Sequence, residues 1–397
     1  MLVQRGFKYK LEPTEEQKQQ LLQQGGNARF VWNYFLGDNI KYYEKTKKFK
    51  FAHEMTISLP KLKKEYEFLK LSFSQSLQTV ARQLDRALKD SFKTEKGFPN
   101  FKQKNLLSDS FSCPQKWNLN KNNISIPKIG KVQWIKHRPL QGKPKSITIT
   151  QDGDKWFCSV LCEYEIKEKP KKDKNIVGID VGLKEFAVLS DKTVIPNPRH
   201  TKNNEKKLKR EQRKLSRKRK RSRNQLKQRL KVRKIHSKIK NSRQDFLHKT
   251  TSNIITKYDG VVLEDLNIKG MVKNRKLAKA ISDVGWSEFK RQLKYKCLWN
   301  FKHFIEIDRF APTSKTCSSC GNVQDMPLSK RMYDCPLCGL SIDRDFNASL
   351  NIQRIGINTL GRREIEACGV PSVGEMSTFV DVSRYGSVKQ EKECLVN

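Results

Sequence analysis

Cys317, Cys320, Cys335 and Cys338 form a CxxC–x14–CxxC pattern, and an acidic run, Asp343-Arg344-Asp345-Phe346-Asn347, follows at once. The spacing lets each CxxC turn clamp one side of a tetrahedral Zn²⁺, with the excursion between them bringing the two halves together. Two further acids end apolar runs: Asp180 in Ile176-Val177-Gly178-Ile179-Asp180, and Glu264 in Gly260-Val261-Val262-Leu263-Glu264. Phosphodiester cleavage by two Mg²⁺ needs carboxylates that converge on ions about 4 Å apart. Hard oxygen ligands suit Mg²⁺ and soft thiolates select Zn²⁺, so the chain offers two chemically distinct metal sites. A single acid at a strand end is more often a turn former or a helix cap. Strand alternation sets Glu264 and Asp265 on opposite faces, so only one of them can enter a shared site. Asp343 and Asp345 pose the same choice, since one of them could cap the helix that follows. Spacing leaves both choices open.

The elements that must position these residues follow from periodicity. Residues 1–10 alternate as a strand, and Pro13-Thr14-Glu15-Glu16 starts a helix with a threonine cap and acids in the first turn. Helical spacing continues through Trp32 and Tyr43, broken at Gly25-Gly26, and a second helix carries Leu77, Val80, Ala81, Leu84 and Leu88. Residues 11–96 are therefore expected to be helical, with an aromatic stripe that serves as core rather than as a base-stacking surface. From Gly97 short alternating segments separated by Gly and Asn turns predict a small antiparallel barrel, built from 1–10 and 97–172, into which the helices are inserted. Glu165–Lys174 reads as a charged linker. Beyond it, 173–312 and 341–357 alternate strands and helices, with the cysteine ribbon, 313–340, inserted. Lys202–Lys249 holds 22 Lys/Arg and three acids on a thin Leu/Ile seam. That pattern favours a helical hairpin with a cationic exterior over a disordered basic tract. Beyond about Gly356 periodicity fades, and 358–397 is expected to be a disordered tail.

Composition restricts the partner. The 397 residues carry 82 Lys+Arg against 41 Asp+Glu, a net charge of +41 that would oppose compaction unless a polyanion neutralised it. Nucleic acid held over a wide surface, with strong salt sensitivity, fits that surplus. The rival polyanion, a membrane surface, is disfavoured because the chain has no apolar run near 18 residues and no lipidation box. Ten cysteines do not make a disulfide scaffold in a chain this long, and the six outside the CxxC pairs read as reduced thiols. A soluble, intracellular protein is expected.

The three acidic segments, Gly178-Ile179-Asp180-Val181-Gly182, Val262-Leu263-Glu264-Asp265-Leu266 and Asp343-Arg344-Asp345-Phe346-Asn347-Ala348-Ser349-Leu350-Asn351-Ile352, resemble in order the three RuvC motifs of the TnpB family. These proteins are encoded by insertion sequences and are relatives of compact type V CRISPR nucleases. The cysteine ribbon resembles the family's zinc-binding insertion, and Gly97-Phe98-Pro99-Asn100-Phe101-Lys102 and Ile281-Ser282-Asp283-Val284-Gly285-Trp286 also match. The likeness covers about residues 1–355. It implies an α/β multi-domain fold: a ribonuclease H-like RuvC domain with a zinc-ribbon insertion, plus an N-terminal wedge-like β-barrel with a helical recognition insertion.

The same likeness implies Asp180, Glu264 and Asp345 as the Mg²⁺-binding catalytic acids, and Cys317, Cys320, Cys335 and Cys338 as ligands of a structural zinc. The implied activity is RNA-guided cleavage of double-stranded target DNA beside a short flanking motif. One protein would bind one guide RNA derived from the transposon end, in the cytoplasm of a bacterium or archaeon, associated with the nucleoid. Sequence choice then passes to base pairing, with the basic hairpin as a phosphate clamp. The ribbon could help to load single-stranded DNA or could be purely structural. The alternative is a transposon-encoded accessory or regulatory DNA-binding protein without guided cleavage. A transposase that joins ends is disfavoured by the absence of a tyrosine or serine recombinase signature.

Overall fold

The structure, a computed structural model, describes residues 1–93, 97–105, 107–167, 170, 174–327 and 329–368, with side chains described as far as 360. The chain divides into two compact units, Met1–Ile166 and one that begins at Lys167.

In the first unit, β1 (Leu2–Glu12) leads into three helices, α1 (Glu15–Thr46), α2 (Ala52–Glu65) and α3 (Ser74–Lys93), with a 3₁₀ turn at Glu67–Leu71. Six strands follow: β2 (Ser110–Cys113), β3 (Asn118–Leu119), β4 (Asn123–Ile126), β5 (Gly130–Ile135), β6 (Lys143–Asp152) and β7 (Lys155–Glu165). One antiparallel sheet, ordered β2-β6-β7-β1-β5-β4-β3, joins them. β1 pairs with β7 from Leu2↔Glu165 to Leu11↔Trp156 and with β5 at its far end. The first strand of the chain therefore lies inside the sheet formed by its last strands. Period-2 alternation turns Phe7, Tyr9 and Leu11 inward with Trp156, Cys158 and Val160, and these share one core with Leu21, Trp32 and Phe35 of α1 and Leu77, Leu84 and Leu88 of α3.

Thr14 caps α1 as expected, in a capping box completed by Gln17. The expected break at Gly25-Gly26 does not occur, and α1 runs unbroken through both glycines. Packing explains Gly25 better than flexibility does. A Cβ at Gly25 would stand 2.6 Å from Asp109 Cγ, and that carboxylate is anchored to Arg29, one turn along the helix, at 2.7 Å. The aromatic stripe is divided. Trp32 and Phe35 are buried, whereas Tyr43 is exposed and stacks on Phe49.

The second unit opens with β8 (Ile176–Val181), β9 (Glu185–Leu189) and β10 (Val194–Pro196), then α4 (His200–Ser216) and α5 (Arg223–Lys257). Next come β11 (Gly260–Glu264), α6 (Ile268–Met271), α7 (Ala278–Val284), α8 (Trp286–Trp299) and β12 (His303–Ile307). A short hairpin, β13 (Met332–Asp334) and β14 (Ser341–Asp343), leads directly into α9 (Arg344–Cys368). The five-stranded sheet is ordered β10-β9-β8-β11-β12, with β8, β11 and β12 parallel and β9 and β10 antiparallel.

Both faces of this sheet are covered, which is why β8 and β11 read as continuous apolar runs. Val177, Ile179, Val261 and Leu263 pack on one face with Leu247 of α5 and Phe289 and Leu293 of α8. Ile176, Val262, Ile305 and Ile307 pack on the other with Ile352 of α9. α9 lies so close to that face that a Cβ at Gly178 would stand 2.2 Å from the Ser349 carbonyl oxygen and 2.5 Å from the Gln353 backbone nitrogen.

Two expectations for the C-terminal part need correction or restriction. The last helix does not fade near Gly356 but continues to Cys368. Gly356 is a packing residue, since a Cβ there would meet Val262 at 2.4 Å, and so it marks no helix end. The rest of the expected disordered tail, 369–397, lies outside the described residues, as does half of the expected linker, 168–169 and 171–173.

Adding one methyl at Gly178 should force α9 off the sheet, because both obstacles are backbone atoms. Gly178→Ala is expected to cost about 1–3 kcal/mol or more, as overpacking does in tight cores. Chemical denaturation followed by circular dichroism measures this as a lowered midpoint at unchanged slope.

Candidate active site and metal centre

Register and alternation decide which acids meet. β11 pairs with β8 in parallel from Gly260↔Ile176 to Leu263↔Ile179, so one further step sets Glu264 beside Asp180 on strands about 4.8 Å apart. Asp180 shares its face with Ile176 and Gly178, and Glu264 shares its face with Val262, so both point to the α9 side. On α9, Asp345 stands one turn before Ser349, the residue pressed against Gly178. The three expected residues are thus brought to one corner of the sheet.

The electrostatics agree. The Asp180 carboxyl is pushed well above the usual carboxylate range by burial first, then by the negative charges of Glu264 and Asp345, with the Arg344 guanidinium opposing. Burial also raises Glu264, against the hydroxyl of Thr313, which donates to its Oε1. Asp345 faces Arg344 at 3.4 Å and Arg331 at 3.8 Å.

The two ambiguous neighbours are engaged elsewhere. Asp265 accepts from Lys290 at 2.8 Å and pairs with Arg309, and these contacts hold its carboxyl below the usual range. Asp343 caps α9, its Oδ1 accepting from the backbone nitrogens of Asp345 at 2.9 Å and Phe346 at 3.0 Å. Sequence reasoning had passed over Arg344 and Thr313. The first lies within the acidic motif itself, whereas the second carries no periodic or spacing signal and is found only in three dimensions.

The four cysteines close into one cluster with all sulfurs within 4.8 Å of one another, and Cys317–Cys338 and Cys320–Cys335 stand at 3.6 and 3.5 Å. A tetrahedral ion with metal–sulfur bonds of about 2.3 Å requires sulfurs about 3.8 Å apart, so the donor set fits Zn²⁺. Among the described residues this is the one group of three or more such side chains gathered so tightly. Two matching turns present the thiols: the Cys317 nitrogen donates to Asn322 and the Gly321 nitrogen to Cys317, while Cys335 donates to Leu340 and Gly339 to Cys335. Backbone N–H groups of Cys338 and Leu337 help to lower the Cys335 thiol from its usual range, toward the thiolate a metal needs, while the neighbouring thiols raise Cys320. Cys113, Cys158, Cys162 and Cys297 are buried and unbridged.

The basic segment forms the two packed helices α4 and α5. Val232, Ile235 and Ile239 are buried, and Gln228 donates to the Glu211 carboxylate at 2.8 Å. Lys206, Lys209, Arg210, Arg213, Lys214 and Arg217 line a groove along α4. Asp283 fastens this hairpin, accepting from the Thr201 backbone and hydroxyl at the start of α4 and from Arg243 of α5 at 2.9 Å. Among the described residues, no helix is long and apolar enough to cross a membrane.

Structural zinc is itself folding energy for so small a hairpin. Cys317→Ser is expected to lose bound zinc and amide protection across 317–343. Elemental analysis and hydrogen exchange measure both, and unchanged zinc content would exclude the four-thiol site.

Three segments match known families: residues 159–275 one described as "Probable transposase" (OrfB_IS605), 286–352 one described as "Cas12f1-like, TNB domain", and 1–48 one described as "Helix-turn-helix domain". The last stretch here is a strand followed by a single long helix. The chain is 34% identical over 402 residues to a Streptomyces pristinaespiralis protein named "Putative RNA-guided DNA endonuclease", covering 98% of this chain and 97% of the relative. It is 33% identical to Escherichia coli K12 "Putative RNA-guided DNA endonuclease InsQ", covering 95% and 98%. Its fold is similar to that of a protein chain in a Cas12f1–sgRNA–target DNA complex, with a TM-score of 0.55 at 14% identity over 89% of this chain and 99% of that one. With the segment matches in order and the likeness to its relatives running nearly end to end, the chain belongs to the TnpB family of transposon-encoded proteins, the OrfB/IS605 group.

Proposed function

We propose that this protein is an RNA-guided DNA endonuclease of a transposable element that cuts target DNA beside a short flanking motif. The observation that carries the reading is the meeting of Asp180, Glu264 and Asp345 at one corner of the sheet, where burial and mutual repulsion hold Asp180 above its usual range. RNA guidance and a DNA substrate are what the relatives' names say of those proteins, and a net charge of +41 supports a polyanionic partner here.

In this reading the five-stranded sheet with its covering helices is the ribonuclease H-like RuvC domain, 173–312 and 341–357, interrupted by the ribbon at 313–340. The seven-stranded sheet is the wedge-like barrel, with 11–96 as its recognition insertion. The protein acts as one copy per guide RNA, in the cytoplasm of its host at the nucleoid.

Three carboxylates that repel one another are a donor set for hard divalent cations, and Mg²⁺ is the proposed ion, held by Asp180, Glu264 and Asp345. Such ions, when bound, lower the pKa of the attacking water and neutralise the charge that develops on the phosphate. The chain's own groups do the positioning. Arg344 moderates the negative potential at Asp180 and faces Asp345, so that a phosphodiester can approach an otherwise repelling pocket. Pairing of Asp265 with Lys290 and Arg309 keeps a fourth carboxylate out of the site. The cationic groove on α4 grips sugar–phosphate backbone without reading bases, and base pairing to the guide selects the sequence.

Two experiments test this. Purified protein is expected to carry RNA from its host, and ribonuclease treatment should abolish DNA cutting; cutting that survives complete RNA removal would rule out guidance. Asp180→Ala should lower cleavage by about 10³-fold or more while leaving RNA and target binding within about twofold, since it removes a metal ligand and not a grip. Gel-shift and single-turnover cleavage assays separate the two effects, and wild-type cutting by that variant would place the active site elsewhere.

A further inference from the structure

The ribbon and the acids are joined by a chain of buried hydrogen bonds that neither site needs for its own sake. Thr313, at the entrance to the ribbon, is 5% exposed, and its hydroxyl donates to Glu264 Oε1. Its backbone carbonyl accepts from Asn351 Nδ2 of α9 at 2.8 Å. The same amide nitrogen donates to the Thr316 carbonyl at 2.6 Å, which also receives Asn347 Nδ2 at 2.7 Å. Asn347 Oδ1 in turn accepts from the Ser318 nitrogen at 2.9 Å. Asn347 therefore brackets Cys317, the first thiol of the cluster, on both sides. Asn347 and Asn351 are 0% and 1% exposed, and they lie on the helix whose first turn carries Asp345.

Neutral amides suit this task. They satisfy buried carbonyls as donors without bringing a charge to a site already crowded with carboxylates. Threonine suits the contact to Glu264 because its β-branched side chain has few rotamers, so the hydroxyl is held in place by the backbone that Asn351 fixes. One Glu264 oxygen is thereby engaged by the hydroxyl while the other stays available as a ligand.

We infer that Thr313 is a positioning residue for Glu264, and that Asn347 and Asn351 lock it to the four-cysteine ribbon, so that the folded ribbon sets the geometry of the acidic site. The inference rests on Glu264 being one of the metal-binding acids. The ribbon thus acts on cleavage through its attachment to α9, whatever its free end contacts.

The test uses the full-length protein with its RNA. Thr313→Val keeps the shape and removes the hydroxyl, and Thr313→Ser keeps the hydroxyl. Thr313→Val is expected to slow single-turnover cleavage 10- to 100-fold at saturating DNA, the range seen when a ligand loses its supporting hydrogen bond, with target binding unchanged. Mn²⁺ affinity of the complex, measured by electron paramagnetic resonance on the bound fraction, should weaken by a similar factor. Thr313→Ser should restore both readouts to within about threefold of wild type. Wild-type cleavage and Mn²⁺ affinity in Thr313→Val would overturn the inference, as would a Thr313→Ser variant no better than Thr313→Val, the mark of packing alone.

Asn351→Ala tests the lock: combined with Thr313→Val, its cost should be much less than the product of the two single costs. Full additivity would disconnect the ribbon from the acid. Should Asn351→Ala fail to fold, the valine–serine pair still decides the role of Thr313. Glu264→Ala separates the two levels of the argument. If it cuts normally, the acid assignment falls; if it is inactive while Thr313→Val is normal, only the brace falls.

Discussion

The second unit depends on how closely α9 approaches β8. With no side chain at Gly178, helix backbone comes within reach of strand backbone, and the Ser349 carbonyl occupies space that any other residue would fill. That contact sets where the first turn of the helix lies as the chain leaves the ribbon, and so where Asp345 stands relative to Asp180. The parallel register of β8 and β11 supplies the second acid without further adjustment. A site assembled from two neighbouring strand ends and one helix start has little freedom, because each element is fixed by a different part of the core. Ile176, Val262 and Ile352 hold the α9 face, and Val177, Val261 and Phe289 hold the opposite one.

Charge is distributed in keeping with this arrangement. In a chain with twice as many cationic as acidic side chains, many carboxylates have close cationic partners: Asp265 with Lys290 and Arg309, Asp283 with Arg243, Asp191 with Lys257, Asp109 with Arg29. Such pairing fixes a carboxylate mechanically and leaves it little capacity for another cation. At the corner formed by Asp180, Glu264 and Asp345 the balance is reversed, with burial and like charge dominating and Arg344 as partial relief. The four thiols are a second concentration of ligand atoms, of the opposite chemical softness. They stand at the far end of a segment whose backbone is clasped by the same helix.

Much of the site was legible before any coordinates because its parts carry strong local signals. Paired CxxC turns have few other uses at that spacing, and apolar runs ending in acids identify strands whose C-terminal ends are open to chemistry. The Lys/Arg-rich tract could be recognised as helical from its Leu/Ile seam, and α4 and α5 do pack along it. The failures were of a different kind. Gly25-Gly26 and Gly356 read as breaks because glycine is a poor helix former in isolation, but here Gly25 and Gly356 each face a neighbour that leaves no room for a Cβ. The family description of residues 1–48 as helix-turn-helix meets the same fact, since α1 passes through the glycine pair without a turn.

The sequence by itself determined the types of chemistry available, the four candidate thiols and the few acids at element ends that could act as ligands, because these follow from side-chain chemistry and local periodicity. It left open which member of Glu264/Asp265 and of Asp343/Asp345 faces the shared corner. Tertiary structure decided those choices. Sheet register and the packing of α9 send Glu264 and Asp345 toward Asp180, while Asp265 is drawn off by Lys290 and Arg309, and Asp343 is used up as a helix cap. Contacts such as Thr313 with Glu264 were invisible for the same reason: they join residues 49 positions apart, and only the folded chain brings them together.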